Sequence, residues 1–188
     1  MMNPNPNMDL ETQFQMEQKR IAMMNKIVKN PNYDEVYKIV QSLKSEEKNY
    51  LYPESYGEFV EPKFLVARQL YFLLPNNISS EELSQMPEEM IKQIRFPVGF
   101  ADAFLLNPVT TSIAHLFVAI SPNFRKKYIS PILINNIIRD LKRKNFQKLI
   151  LTADSSSPSY NDIIKMANRN KFVRERSAGS KIIFGKRL

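Results

Sequence analysis

From Ile113 to Ile120 the chain is an almost unbroken apolar run, IAHLFVAI, short and rich in Ile, Val and Phe. A run of that length and composition predicts a strand buried on both faces, and Pro122 ends it. A basic turn from Asn123 to Tyr128 leads to Ser130-Pro131, which predicts a helix N-cap followed by proline at the first helical position. Beyond it Leu133, Ile134, Ile137, Ile138 and Leu141 recur on one helical face, with Asn135, Arg139 and Lys142 on the other. Leu149 to Leu151 predicts a second strand, and Ser157-Pro158 opens a second helix. This order is a βαβ unit, two parallel strands joined by a right-handed crossover.

The flanking segments extend the pattern. Met1 to Met8 is polar and proline-punctuated, which predicts a disordered tail. Asp9 caps a helix expected to reach about Lys29, with Leu10, Phe14, Ile21, Met24 and Val28 as its stripe and Asn30-Pro31 as its stop. Asp34 opens another, with Val36, Ile39, Val40 and Leu43 apolar and a charged end from Lys44 to Lys48. Residues 9–48 therefore form an expected N-terminal helical extension, packed on the domain or reaching out as an arm. Met16, Met23 and Met24 give it adaptable apolar surface suited to other protein subunits.

Tyr50, Tyr52 and Tyr56, with proline and glycine between them, predict a packed loop, or a stacking surface for a partner. Pro62 to Leu74 predicts a buried helix, with a strand as the alternative. Ser80 and Pro87 open short helices whose Glu81, Glu82, Glu88 and Glu89 complement the helix N-terminal dipole. Val98 to Leu106, a turn at Asn107-Pro108 and Val109 to Ser121 predict an antiparallel hairpin. Val173 to Arg176 and Lys181 to Phe184 predict another around Gly179. The fold class is α/β: a mixed twisted sheet with helices on both faces, plus the N-terminal helices, and residues 49–188 as the α/β domain.

Composition narrows the chemistry. At 188 residues and 43% hydrophobic content, one domain with an extension is expected. With no cysteine and one histidine, disulfides and thiolate metal sites are excluded and no metal centre is expected. No apolar run approaches the ~20 residues that span a bilayer, and the N-terminus lacks the regions of a signal peptide. A cytoplasmic setting, or one inside a virus particle, is the simplest expectation. The net charge of +8 is uneven: from Pro122 onward 16 Lys and Arg face four Asp and Glu, leaving 11 against 15 before it. That asymmetry suggests an acidic partner or nucleic acid at the C-terminal half, although no nucleic-acid motif accompanies it.

From Val98 to Leu188 the order of elements resembles the GNAT family of acetyl-CoA-dependent N-acetyltransferases. That family's fourth strand ends in a pattern like Val-x-Pro, here Val118-Ala119-Ile120-Ser121-Pro122 with longer spacing. Its Arg/Gln-x-x-Gly-x-Gly/Ala loop corresponds to Arg125, Lys126, Lys127, Tyr128, Ile129 and Ser130, which the resemblance implies as the cofactor-binding positions. The arginine is kept and both glycines are replaced, by Tyr128 and Ser130. Glycine there lets backbone N–H groups approach a pyrophosphate, and a tyrosine Cβ and ring obstruct that approach. The family's Gly-Phe is Lys171-Phe172, and the tyrosine that often acts as general acid is Ala167. The resemblance also makes Asp102 and His115 candidate bases, against structural roles for both.

Three functions follow as expectations. The first is a non-catalytic GNAT-like structural or assembly protein without a cofactor, resembling the GNAT-like components of bacteriophage virions. The second is an acetyl-CoA-dependent N-acetyltransferase. The third is a nucleic-acid-associated basic protein.

Overall fold

The structure is a computed structural model that describes residues 27–29, 31, 33–48, 62–74, 78–109, 112–125 and 127–188. The expected tail, the expected helix as far as residue 26 with its three methionines, the three tyrosines and Lys126 lie outside them. Two compact units are distinguished, Ile27–Tyr71 with Pro97–Leu188, and a second that includes Phe72–Phe96.

The strands, which fall in the larger unit except for Phe72, Leu73 and Phe96, are β1 (Ile27–Lys29), β2 (Leu65–Leu73), β3 (Phe96–Phe104), β4 (Ile113–Ile120), β5 (Lys148–Asp154), β6 (Val173–Ala178) and β7 (Lys181–Arg187). They form one seven-stranded sheet in the order β1-β2-β3-β4-β5-β7-β6. β3 and β4 are antiparallel, in register from Gly99 opposite Ile120 to Phe104 opposite His115. β4 and β5 are parallel, and β7 lies antiparallel between β5 and β6. Every residue of β3 after Phe96 is buried, so both faces of the sheet are covered there. The exposed edge strand β6 carries Arg174, Glu175 and Arg176 and a register shift, features that discourage pairing with another chain.

Helix α1 (Tyr33–Ser42) buries Val36, Ile39 and Val40, and α2 (Ser45–Lys48) follows Leu43, itself buried. Helix α5 (Ile129–Arg143) joins β4 to β5 and has Leu133, Ile134, Ile137 and Leu141 fully buried. At ~1.5–3 kcal/mol for each such side chain, this one face anchors the parallel pair. Helix α6 (Tyr160–Arg169) follows β5 and buries Ala167.

The structure corrects several expectations. Residues 27–29 form a strand paired with β2, Ile27 opposite Tyr71, where the N-terminal helix was expected to end. Residues 27–29 and 33–48 fall in the larger compact unit. The expected helix over Pro62 to Leu74 is β2, buried from Ala67 to Phe72 on both faces. A short apolar run buried all round has no period that separates helix from strand, which is why the sequence admits both. Helix α5 begins before Ser130, because Tyr128 turns the chain with φ 58° and serves as N-cap. Pro131 is tolerated within the first turn because its missing N–H would have no intrahelical partner.

The segment Phe72–Phe96 contains α3 (Ser80–Gln85) and α4 (Glu88–Ile94). Ser79 and Glu82 form a reciprocal capping box: the Glu82 amide donates to the Ser79 hydroxyl (3.1 Å) and the Ser79 amide to the Glu82 carboxylate (2.7 Å). The Arg95 guanidinium lies 5.2 Å from the centre of the Phe72 ring.

Candidate functional site

Strands β4 and β5 pair only from Ile113 opposite Lys148 to Leu116 opposite Leu151, although β4 continues to Ile120 and β5 to Asp154. Beyond Leu116 the end of β4, the turn that follows it, the start of α5 and one face of α6 line a cavity of about 440 Å³. Its walls are apolar, from Phe117, Val118, Ala119, Ile120, Ile129, Ile163 and Met166. On α6 Asp162, Ile163, Met166 and Arg169 reach it together, because residues three and four apart share a helical face. Ser157 and Ser159 add hydroxyls, and Leu43 and Glu47 close a further side. A volume of this size suits a small organic ligand.

The strongest polar contact in the cavity wall is internal. Arg125 Nη1 and Nη2 donate to Glu47 Oε1 and Oε2 at 2.6 and 2.9 Å, a bidentate pair. Arg125 Nε donates to the Ile120 carbonyl at 3.1 Å, so the guanidinium is held at both ends. Glu47 also accepts from the Ser159 hydroxyl (3.3 Å) and the Lys44 amide (3.1 Å). Its side chain is only 8% exposed. The Arg125 hydrogen bonds hold the Glu47 carboxyl below its ordinary range, against the opposing effect of burial.

Tyr128 lines the cavity where the sequence resemblance places the loop's first glycine. Its φ of 58° is the conformation glycine adopts without cost, so the turn persists with a tyrosine in it. The Arg169 guanidinium lies 5.6 Å from the centre of the Tyr128 ring, joining α6 to the loop. Lys171 likewise keeps φ 58° at the position of the second motif's glycine. There the Phe172 amide donates to the Ala167 carbonyl (3.0 Å), as in a helix ended by a left-handed residue.

Of the positions singled out in the sequence, Arg125, Tyr128, Ile129 and Ser130 come together at the cavity. Lys127 is exposed, its ammonium 5.2 Å from the Phe124 ring centre. Asp102 and His115 do not line the cavity. Asp102 is fully buried and paired with Arg68, Nε to Oδ1 and Nη2 to Oδ2, both at 2.7 Å. His115 packs by the Phe104 ring (5.9 Å between centres), and burial pushes its pKa below the ordinary value. Burial there favours the neutral imidazole.

Glu47, Ser159, Asp162, Lys165 and Arg169 belong to the site and are missed by the sequence reading. Glu47 stands in the charged run Lys44-Ser45-Glu46-Glu47-Lys48, where nothing distinguishes it from the exposed Glu46. The α6 residues carry a legible signal, the polar positions Asp162 and Arg169 on the helical face that also presents Ile163 and Met166.

A mixed sheet whose parallel strands part midway, with a loop and helix N-terminus facing the gap, is a GNAT-like fold, and the chain has it. Solved structures with this fold include the GNAT domain of PAT from S. lividans, with a TM-score of 0.61 at 9% identity over 87% of this chain and 89% of that one. Another is the ribosomal-protein-S18-alanine N-acetyltransferase of Escherichia coli (TM-score 0.55, 16% identity, 88% and 94% covered). A third is the PaiA N-acetyltransferase of Thermoplasma acidophilum in complex with coenzyme A (TM-score 0.53, 14% identity, 88% and 100% covered). At these identities the likeness is one of fold. No family model matches the sequence, and no curated protein sequence matches it.

Proposed function

We propose that this chain is a non-catalytic GNAT-like protein with a structural or assembly role, in the setting its sequence resemblance suggests, a bacteriophage particle. The observation that carries the reading is the state of the loop after β4. Its arginine is neutralised by Glu47, and a tyrosine stands in the left-handed position where glycine would let a pyrophosphate approach. A diphosphate entering here would meet a carboxylate and an aromatic ring instead of open backbone N–H groups. The two candidate bases support the same reading, since Asp102 is committed to Arg68 and neither lines the cavity.

A second reading, an acetyl-CoA-dependent N-acetyltransferase, is favoured by a different observation. The cavity lies beside the end of β4, beyond its pairing with β5, and a similar fold from Thermoplasma acidophilum holds coenzyme A. A thiol-release assay with acetyl-CoA and a panel of amines and lysine peptides separates the two. The first reading predicts release indistinguishable from the enzyme-free rate with every acceptor. Acceptor-dependent release that saturates with acetyl-CoA supports the second and overturns the first.

A further inference from the structure

The ion pair at the mouth of the cavity has the construction of an anion-binding site. Its donors come from separate parts of the fold: the Arg125 guanidinium from the turn after β4, and the Ser159 hydroxyl from the N-cap position of α6. Arg125 is oriented independently by the Ile120 carbonyl, so it does not depend on Glu47 for its direction. The Ser159 side chain does not cap its own helix and turns to the carboxylate instead. Glu47 is brought to these donors across 78 residues of chain from Arg125 and 112 from Ser159. Its carboxylate is nine-tenths buried, an expensive place for a charge unless donors compensate it.

We propose that Arg125 and Ser159 form an anion site whose occupant is this chain's own Glu47, and that Glu47 thereby determines specificity by keeping phosphate-bearing ligands out of the cavity. A free phosphate must displace a carboxylate already held by two guanidinium bonds, a hydroxyl and an amide. It does so against the charge of Glu47, which Arg125 keeps ionised at the site. Exclusion therefore comes from occupancy and like-charge repulsion together. The cavity behind the pair keeps its apolar walls and remains available to ligands without a phosphate. The inference rests on the reading above only in treating the unmodified chain as closed to acetyl-CoA.

The test uses the whole chain and inorganic pyrophosphate as probe, titrated calorimetrically at low ionic strength. Glu47→Gln removes the charge with little change of shape, and Glu46→Gln makes the same charge change on the same helix at an exposed position. The expected result is at least tenfold tighter binding of pyrophosphate to E47Q than to the unmodified chain, with E46Q unchanged. Equal binding by E47Q and the unmodified chain overturns the proposal, as does an equal gain in E46Q, which would reduce the effect to bulk charge.

A second measurement does not depend on E47Q folding well. In Glu47→Ala, acetate should occupy the vacated donors and raise the melting temperature above that in chloride at the same ionic strength, while acetamide should not. The same acetate shift in the unmodified chain, or none in E47A, contradicts an anion site. Failure of the wider functional reading has a different mark, tight acetyl-CoA binding by the unmodified chain.

Discussion

Asp102 has no exposed surface and shares both carboxylate oxygens with the Arg68 guanidinium, itself nearly buried. Removing one member of such a pair leaves the other charge uncompensated in the core, at a cost of about 3–5 kcal/mol. Asp102→Ala is therefore expected to lower unfolding free energy by that amount in urea denaturation. A loss under 1 kcal/mol would free Asp102 for another role. His115 makes a prediction in pH. Its folded pKa lies below the ordinary 6.5 because burial disfavours the charged ring, so the unfolded chain takes up the proton first. Stability is then full above about pH 6.5 and declines as pH falls below it. Glu47 adds a second decline, because its folded pKa is depressed and its contribution is lost as pH falls from the ordinary 4.5 through the folded value. Melting temperature against pH should lose its upper step in His115→Gln and keep the lower one. Retention of the upper step would assign it elsewhere. Neither the Arg68–Asp102 pair nor Glu47 is legible in the sequence, because both are set by partners far along the chain.

At the scale of elements, three turns take a left-handed geometry without a glycine. Tyr128, Asn145 and Lys171 each hold a positive φ, and the second and third follow the ends of α5 and α6. A left-handed residue with a Cβ costs about 1–2 kcal/mol, and glycine's larger unfolded entropy returns roughly half of that. Lys171→Gly should accordingly raise unfolding free energy by about 0.5–1 kcal/mol, whereas Lys171→Ala, which keeps the strain, should give no comparable gain. Equal effects of the two substitutions would place the cost in the lysine charge instead of the backbone. The β4–α5–β5–α6 order was legible because its apolar runs and helical stripe have distinct periods. β2 was not, since LVARQLYFL is apolar on both sides and even its Arg68 and Gln69 are buried. Residues 27–29 escaped for a related reason: three residues take their strand identity from β2, not from a pattern of their own.

For the molecule as a whole, the fold can be read from the sequence and the state of its site only in part. Periodicity in the C-terminal half specifies a parallel pair bridged by an amphipathic helix, and the altered loop is visible as missing glycines. The partner that neutralises Arg125 is not visible, because it arrives from α2 through tertiary packing. The positive excess also has a local use: Lys142 and Arg143 end α5 and Arg169 ends α6, where cations complement the helix dipole. Among the described residues no helix is long and apolar enough to cross a membrane.

We propose that the cavity beside the end of β4, with Arg125 held by Glu47, has no affinity for a diphosphate cofactor. Calorimetric titration of the unmodified chain with acetyl-CoA, with desulfo-CoA and plain CoA alongside, tests it most directly. The account predicts no saturable heat up to millimolar ligand. Saturable binding at micromolar strength would contradict it, and would mean that the diphosphate is held despite Glu47 and Tyr128.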